Sequence, residues 1–122
     1  HFAGEIPEAD LPAYFHACNV YCLSSVATAE AFGIVQAEAM VCGKPVVNTW
    51  LHNGVNALAP EGLCALTVQP GDVAALSAAL NQVLADPALA QRLGDAGRVR
   101  ILQSFSVDAM VKQTLALYQS LT

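Results

Sequence analysis

The sequence predicts an α/β domain built on a doubly wound parallel sheet, and three observations predict it. Short continuous apolar runs alternate with longer stretches whose apolar positions recur every three or four residues. Each candidate strand is apolar on both faces, as a strand covered by helices on either side must be. Polar and glycine-containing segments follow the strands, and open α/β sheets bind ligands just beyond the carboxyl ends of their strands.

The elements follow in order. His1–Gly4 reads as the tail of a strand, which brings the expected strand number to four. Glu8–Cys18 carries Leu11, Tyr14, Phe15 and Cys18 at helical spacing. Val20–Leu23 is a buried strand that empties at Ser24-Ser25 into a loop running to about Phe32. Gly33–Cys42 is helical in pattern, with Gly43 as its stop, and Lys44 reads as a surface charge near that helix end. Pro45–Thr49 is a second strand, its proline tolerable at the first position, followed by a loop through Trp50, His52, Asn53, Gly54 and Asn56. Ala65–Val68 is a third strand, ended by Gln69-Pro70-Gly71. Asp72 caps a helix reaching Leu84, Asp86-Pro87 opens another to about Gln103, and Ser106 caps the last, Val107–Leu121. That last helix places Val107, Met110, Val111, Leu115 and Tyr118 on one face, which needs an apolar surface to lie on.

Composition narrows the function classes. At 122 residues the chain has room for one domain, given about 100 to 200 residues per domain. It is 55% hydrophobic and only 12% charged, with a mean hydropathy of +0.46. Yet it holds no apolar run of about 18 residues, the length needed to span a bilayer. A net charge of −5 with scattered lysines and arginines speaks against a nucleic-acid footprint. Cys18, Cys22, Cys42 and Cys64 form no C-x-x-C pair and read as reduced, buried thiols; Cys18, Cys22 and His16 lack a fourth partner for a metal. The chain opens at His1 without an initiator Met, so residues 1–122 read as a single truncated domain. Truncation predicts exposed apolar surface and self-association.

The most informative stretch is Ser24–Gly43, SSVATAEAFGIVQAEAMVCG. A helix beginning near Phe32-Gly33 at a strand end offers free N–H donors and the favourable end of the macrodipole, which suits a pyrophosphate. Two carboxylates flank the turn, Glu30 and Glu38. A glycosidase acid–base pair needs its carboxyl groups about 5 to 9.5 Å apart. Eight helical residues separate them by about 12 Å along the axis and about 80° around it. That geometry better suits the two polar ends of one extended ligand. The bland alternative is a solvated first-turn acid and an exposed helical surface acid.

These residues resemble a known family. Glu30-Ala31-Phe32-Gly33-Ile34-Val35-Gln36-Ala37-Glu38-Ala39-Met40, followed by Gly43-Lys44-Pro45-Val46-Val47, is similar to the E-x7-E signature of the retaining group 1 glycosyltransferases of GT-B architecture. Phe2-Ala3-Gly4, Leu23-Ser24-Ser25, Pro70-Gly71-Asp72 and Ser104-Phe105-Ser106 agree with it, so the resemblance spans nearly the whole chain. It implies the later part of a Rossmann-like carboxyl-terminal domain that holds a nucleoside-diphosphate sugar. Glu38 would bind the two ribose hydroxyls, through charge-assisted bonds of about 1.5 to 3 kcal/mol each. Glu30, the catalytic candidate, would contact the transferred sugar. The backbone of Phe32, Gly33 and Ile34 would meet the sugar and diphosphate, with the Phe32 ring in core packing and Ser25 and Ser24 near the nucleotide. Thr49, Asn53 and Gly54 lie in the next strand-end loop, toward the acceptor or base, and His52 reads as an exposed loop residue.

The resemblance further implies sugar transfer to an acceptor hydroxyl, no metal or other cofactor, and a place in polysaccharide or glycolipid synthesis. The carbohydrate or lipid-linked acceptor would bind through an amino-terminal domain. The enzyme would be cytoplasmic, with any attachment to the inner face of the membrane depending on that domain. The family's diphosphate-neutralising Arg and Lys lie before His1, so this chain alone should not catalyse transfer. The family commonly has Glu where this chain has Asn56, and Gly where it has Ala65. Two rival readings are a nucleotide- or sugar-binding module without turnover, which transfer by the parent would reject, and a ligand-free scaffold, for which both glutamates would be mutation-neutral.

Overall fold

The computed structural model describes residues 1–121. Three strands, β1 (Tyr21–Leu23), β2 (Val46–Thr49) and β3 (Ala65–Val68), form one parallel sheet in the order β1-β2-β3. Tyr21 pairs with Val46, and Val46 with Ala65, so all three strands end at one rim. Six helices accompany them: α1 (Leu11–Ala17), α2 (Ile34–Val41), α3 (Gly54–Leu58), α4 (Val73–Ala85), α5 (Pro87–Ser104) and α6 (Val107–Ser120). Helix α2 carries the chain from β1 to β2 and α3 from β2 to β3, the crossovers that parallel pairing requires.

The centre of the sheet is β2, buried along its whole length. Its alternation divides the core: Val46 packs with Met40, Leu58, Cys64 and Ile101, and Val47 with Ala79, Val83 and Leu93. Helix α5 serves both clusters, Leu93 on one and Ile101 on the other. It approaches α2 through glycine. A Cβ on Gly94 would lie 2.1 Å from the Gly43 carbonyl oxygen, and one on Gly97 would lie 3.3 Å from Met40.

Three expectations need correction. His1–Gly4 forms no strand, so the sheet has three strands rather than four; Gly4 turns at φ +73° and Phe2 is fully exposed. The helix expected from Glu8 begins as a 3-10 turn, Glu8–Asp10, before α1 takes over at Leu11. Pro12 has no N–H to donate back to Glu8, so a continuous α-helical ladder cannot cross that point. The loop after β2 contains α3, which Asn53 caps by accepting from the Val55 N–H at 3.0 Å. Asp72, Asp86 and Ser106 cap α4, α5 and α6 as the sequence predicts.

No residue of α6 is buried, and Val107, Met110, Val111, Leu115 and Tyr118 stand exposed. Among the described residues no single helix is long and apolar enough to cross a membrane; α4 and α5 are apolar enough only as a pair, broken by 99°. Cys64 is buried, whereas Cys18, Cys22 and Cys42 are half-buried rather than buried as expected. Burial is the first cause that raises the thiols of Cys18, Cys22 and Cys64 and the phenol of Tyr21 above their ordinary values. The folded state thus holds these protons more tightly than the unfolded chain does. Their stabilisation is complete below about pH 8.5, the ordinary thiol value, and is lost as pH rises through the raised folded values. The urea midpoint should be flat from pH 7 to 8 and fall steadily from pH 9 to 11; a midpoint that rises with alkali would contradict this.

Candidate functional site

The carboxyl ends of β1 and β2 carry the segments Ser24–Gly33 and Trp50–Asn53, and the site is built where these meet. A turn from Ala27 to Glu30 is closed by the Glu30 N–H on the Ala27 carbonyl, and the chain then reverses into α2. Gly33 makes that entry, in the left-handed region at φ +70° and ψ 51°. A side chain there would be strained, and its Cβ would lie 2.9 Å from Leu23 and 3.0 Å from the Gln36 amide. The Glu30 carboxylate folds under this turn and accepts from the Gly33 N–H at 2.9 Å. Since α2 starts at Ile34, Glu30 lies outside the helix, and the spacing computed along one helix does not describe the pair.

No side chain caps α2, and the N–H groups of Ile34 and Val35 find no partner among the described residues. They are the donors that the first turn of a helix leaves free. Gly33 is buried, yet the Ile34 and Val35 side chains are exposed, 65% and 41%, so the turn presents its surface outward. Phe32 is 41% exposed rather than in the core; its ring packs 6.1 Å from that of Phe105. Arg100 lies over Phe105 and donates to the carbonyls of Ala57 and Leu58, closing the end of α3 behind the same loop.

Glu38 is exposed on the second turn of α2, and its side chain makes no hydrogen bond or ion pair among the described residues. It borders a groove of about 420 Å³ between α1 and α2, with Leu11, Phe15 and Val41. Tyr21 lies behind this groove, its ring 5.9 Å from Phe15. After burial and the neighbouring Cys22, the charges of Glu38 and Glu30 add to the rise of its phenol, so Tyr21 senses both carboxylates.

A second hollow, of about 220 Å³, opens at the strand rim between Ser24, Thr49, Val68 and Asp72. Ser25 lies beside it, its carbonyl accepting from the Thr49 hydroxyl at 2.5 Å. Thr49 is buried, and its hydroxyl proton is engaged within the protein. Asn53 is engaged likewise: its amide donates to the Glu30 carbonyl at 2.7 Å while its oxygen caps α3. His52 is exposed as expected, but with φ +56°, and its Nδ1 accepts from the Trp50 indole at 2.8 Å. Lys44 lies just beyond the end of α2, at the surface as expected, and donates to the His16 carbonyl at 2.7 Å. A hollow of about 290 Å³ bordered by Cys18, Lys44, Pro87 and Gln91 lies at the opposite end of the sheet, away from these groups.

The arrangement thus offers free helix-end donors and one carboxylate tucked under the turn at the carboxyl rim of a parallel sheet, with a second carboxylate displayed further along α2. The family described as Glycosyl transferases group 1 matches residues 1–100. The chain belongs to the group 1 glycosyltransferases. It is 34% identical over 119 residues to the MMP alpha-(1->4)-mannosyltransferase of Mycolicibacterium hassiacum, covering 98% of this chain and 28% of that protein. Among solved structures it resembles sucrose-phosphate synthase of Thermosynechococcus elongatus, with a TM-score of 0.84 and 36% identity over 99% of this chain and 30% of that one. It also resembles Anabaena Alr3699/HepE, solved in complex with UDP, with a TM-score of 0.74 and 29% identity over 94% of this chain and 31% of that one. The chain spans about 28% of the length of the curated glycosyltransferases it matches. Its sheet and helices are those of the Rossmann-like fold of GT-B glycosyltransferases.

Proposed function

We propose that this chain is the later part of the nucleotide-sugar-binding domain of a retaining glycosyltransferase, which moves a sugar from a nucleoside diphosphate to an acceptor hydroxyl. The observation that carries this reading is the α2 entry, where unpartnered N–H groups stand beside the Glu30 carboxylate, with Glu38 exposed one turn further along the helix. The diphosphate is held at the Ile34 and Val35 amides, which stabilise negative charge as the sugar bond breaks. Glu30, with one oxygen held by Gly33, keeps its second oxygen for a sugar hydroxyl. Glu38, unencumbered and exposed, takes the ribose. The backbone of Phe32 and Gly33 lines the approach, with Ser25 at the nucleotide end. A domain outside this chain supplies the acceptor site and the cations that neutralise the diphosphate. The same reading includes a cytoplasmic enzyme of polysaccharide or glycolipid synthesis, working without a metal, and self-association of the isolated chain through α6.

The test is a transfer assay on the full-length protein with UDP-, GDP-, ADP- and dTDP-sugars, the product anomer being read by NMR. The expected result is release of one nucleoside diphosphate with the donor's anomeric configuration kept. Glu30→Gln should then lower kcat by more than about tenfold, since an electrostatic contact made in the transition state is lost. Product of inverted configuration, or no turnover with any donor, would contradict the reading.

A further inference from the structure

We propose that Asn53 and Gly54, at the start of α3, are positioning residues that hold the Glu30–Gly33 turn in its donor-binding shape; the inference rests on the donor-binding reading above. Asn53 joins the two loops with one side chain. Its amide donates to the Glu30 carbonyl at 2.7 Å, and its oxygen accepts from the Val55 N–H at 3.0 Å. The bond to Glu30 crosses 23 residues of sequence, so it ties the loop after β2 directly to the loop after β1.

Gly54 makes the close approach feasible. A Cβ at that position would lie 2.6 Å from the Ala31 carbonyl oxygen and 2.6 Å from the Phe32 ring, and neither a backbone oxygen nor a braced ring can yield that distance cheaply. One residue further on, the Val55 carbonyl accepts from the buried Gln36 amide at 2.8 Å. Gln36 stands on the first turn of α2 and is itself held by Asn48, which accepts from the Thr67 hydroxyl at 2.7 Å. Helix α3 therefore grips the turn on its loop side through Asn53 and on its helix side through Gln36. The geometry at Glu30 and at the Ile34 and Val35 amides follows from where α3 sits. A misplacement of about 1 Å at such a site costs up to about 100-fold in function.

Asn53→Asp separates this role from simple helix capping. Aspartate caps as well as asparagine does, but it sets an acceptor against the Glu30 carbonyl where a donor stood. The full-length protein should bind UDP or GDP, whichever the wild type binds, about tenfold more weakly, with the donor KM raised to match, while its melting temperature falls no further than that of Asp86→Ala. Gly54→Ala should likewise weaken nucleotide binding, and should also lower the melting temperature, because its Cβ would meet the Ala31 carbonyl oxygen. Asp86→Ala is the control: it removes the cap of α5, bound to the Leu89 N–H, and should lower stability without changing nucleotide affinity. In the labelled chain the Gly33 and Ile34 amide resonances should shift in Asn53→Asp and stay in place in Asp86→Ala. Unchanged affinity in Asn53→Asp, or equal weakening in Asp86→Ala, would overturn the proposal. A wild type that binds no nucleotide would overturn the donor reading itself, and unmoved Gly33 and Ile34 resonances would overturn the clamp irrespective of any ligand.

Discussion

Replacing Glu38 by alanine is expected to weaken binding of the nucleoside-diphosphate donor to the full-length protein by about 100-fold or more, with the fold unchanged. Two hydroxyls donating to one carboxylate contribute about 1.5 to 3 kcal/mol each, and even the lower end of the sum, about 3 kcal/mol, is roughly a 100-fold change. The side chain is exposed and makes no hydrogen bond or ion pair among the described residues, so nothing inside the protein depends on it. Surface substitutions of that kind shift stability by no more than about 0.5 kcal/mol. Calorimetric titration of the two proteins checks the first part and thermal unfolding the second. Equal affinities would remove Glu38 from the site; a large loss of stability would mean that it serves the fold.

Gly94→Ala is expected to have the largest effect on stability. The Cβ it adds would lie 2.1 Å from the Gly43 carbonyl oxygen, a backbone atom at the turn between α2 and β2. There is no flexible side chain at that contact to move aside. Relief requires α5 to withdraw from α2, which opens the cluster of Met40, Val46 and Ile101. Overpacking typically costs about 1 to 3 kcal/mol, and a clash with main chain belongs at the upper end. At about 4 °C or more per kcal/mol for a domain of this size, the melting temperature should fall by roughly 10 °C or more. Gly71→Ala probes position rather than composition: its Cβ meets nothing within 4 Å, so only the φ of +81° opposes it and the loss should be smaller. Equal losses at the two sites would contradict the packing account.

Much of this was legible in the sequence because local signals and burial agreed. Ala65–Val68 and the caps Asp72, Asp86 and Ser106 lie where pattern and capping chemistry place them. Gly33 was legible as a special position, since a left-handed entry into α2 admits little else. The errors came where partners distant in sequence decide the outcome. Helix α3 is a single short helix containing Gly54 and Asn56, both poor helix formers, and it exists because Val55 and Leu58 are buried and Asn53 caps it. The signal was there, an asparagine followed by apolar residues three apart, but it was too short to outweigh a loop composition. The internal bonds of Asn53 and Thr49 to carbonyls of the neighbouring loop were equally invisible, since both residues read only as polar groups at a strand end. Spacing along a sequence says nothing of such tertiary bonds. Phe32 erred the other way, as an aromatic that hydropathy places inside and the turn leaves half outside.

The central claim is that a nucleoside diphosphate binds at the α2 entry. The most direct measurement is an NMR-detected titration of the isotopically labelled chain with UDP, GDP, ADP and dTDP. The account predicts that one of them moves the amide resonances of Gly33, Ile34, Val35 and Glu38, while those of Lys44 and Gln91, at the hollow on the opposite end of the sheet, stay in place. Shifts centred on Lys44 and Gln91, with the α2 entry silent for all four nucleotides, would contradict it.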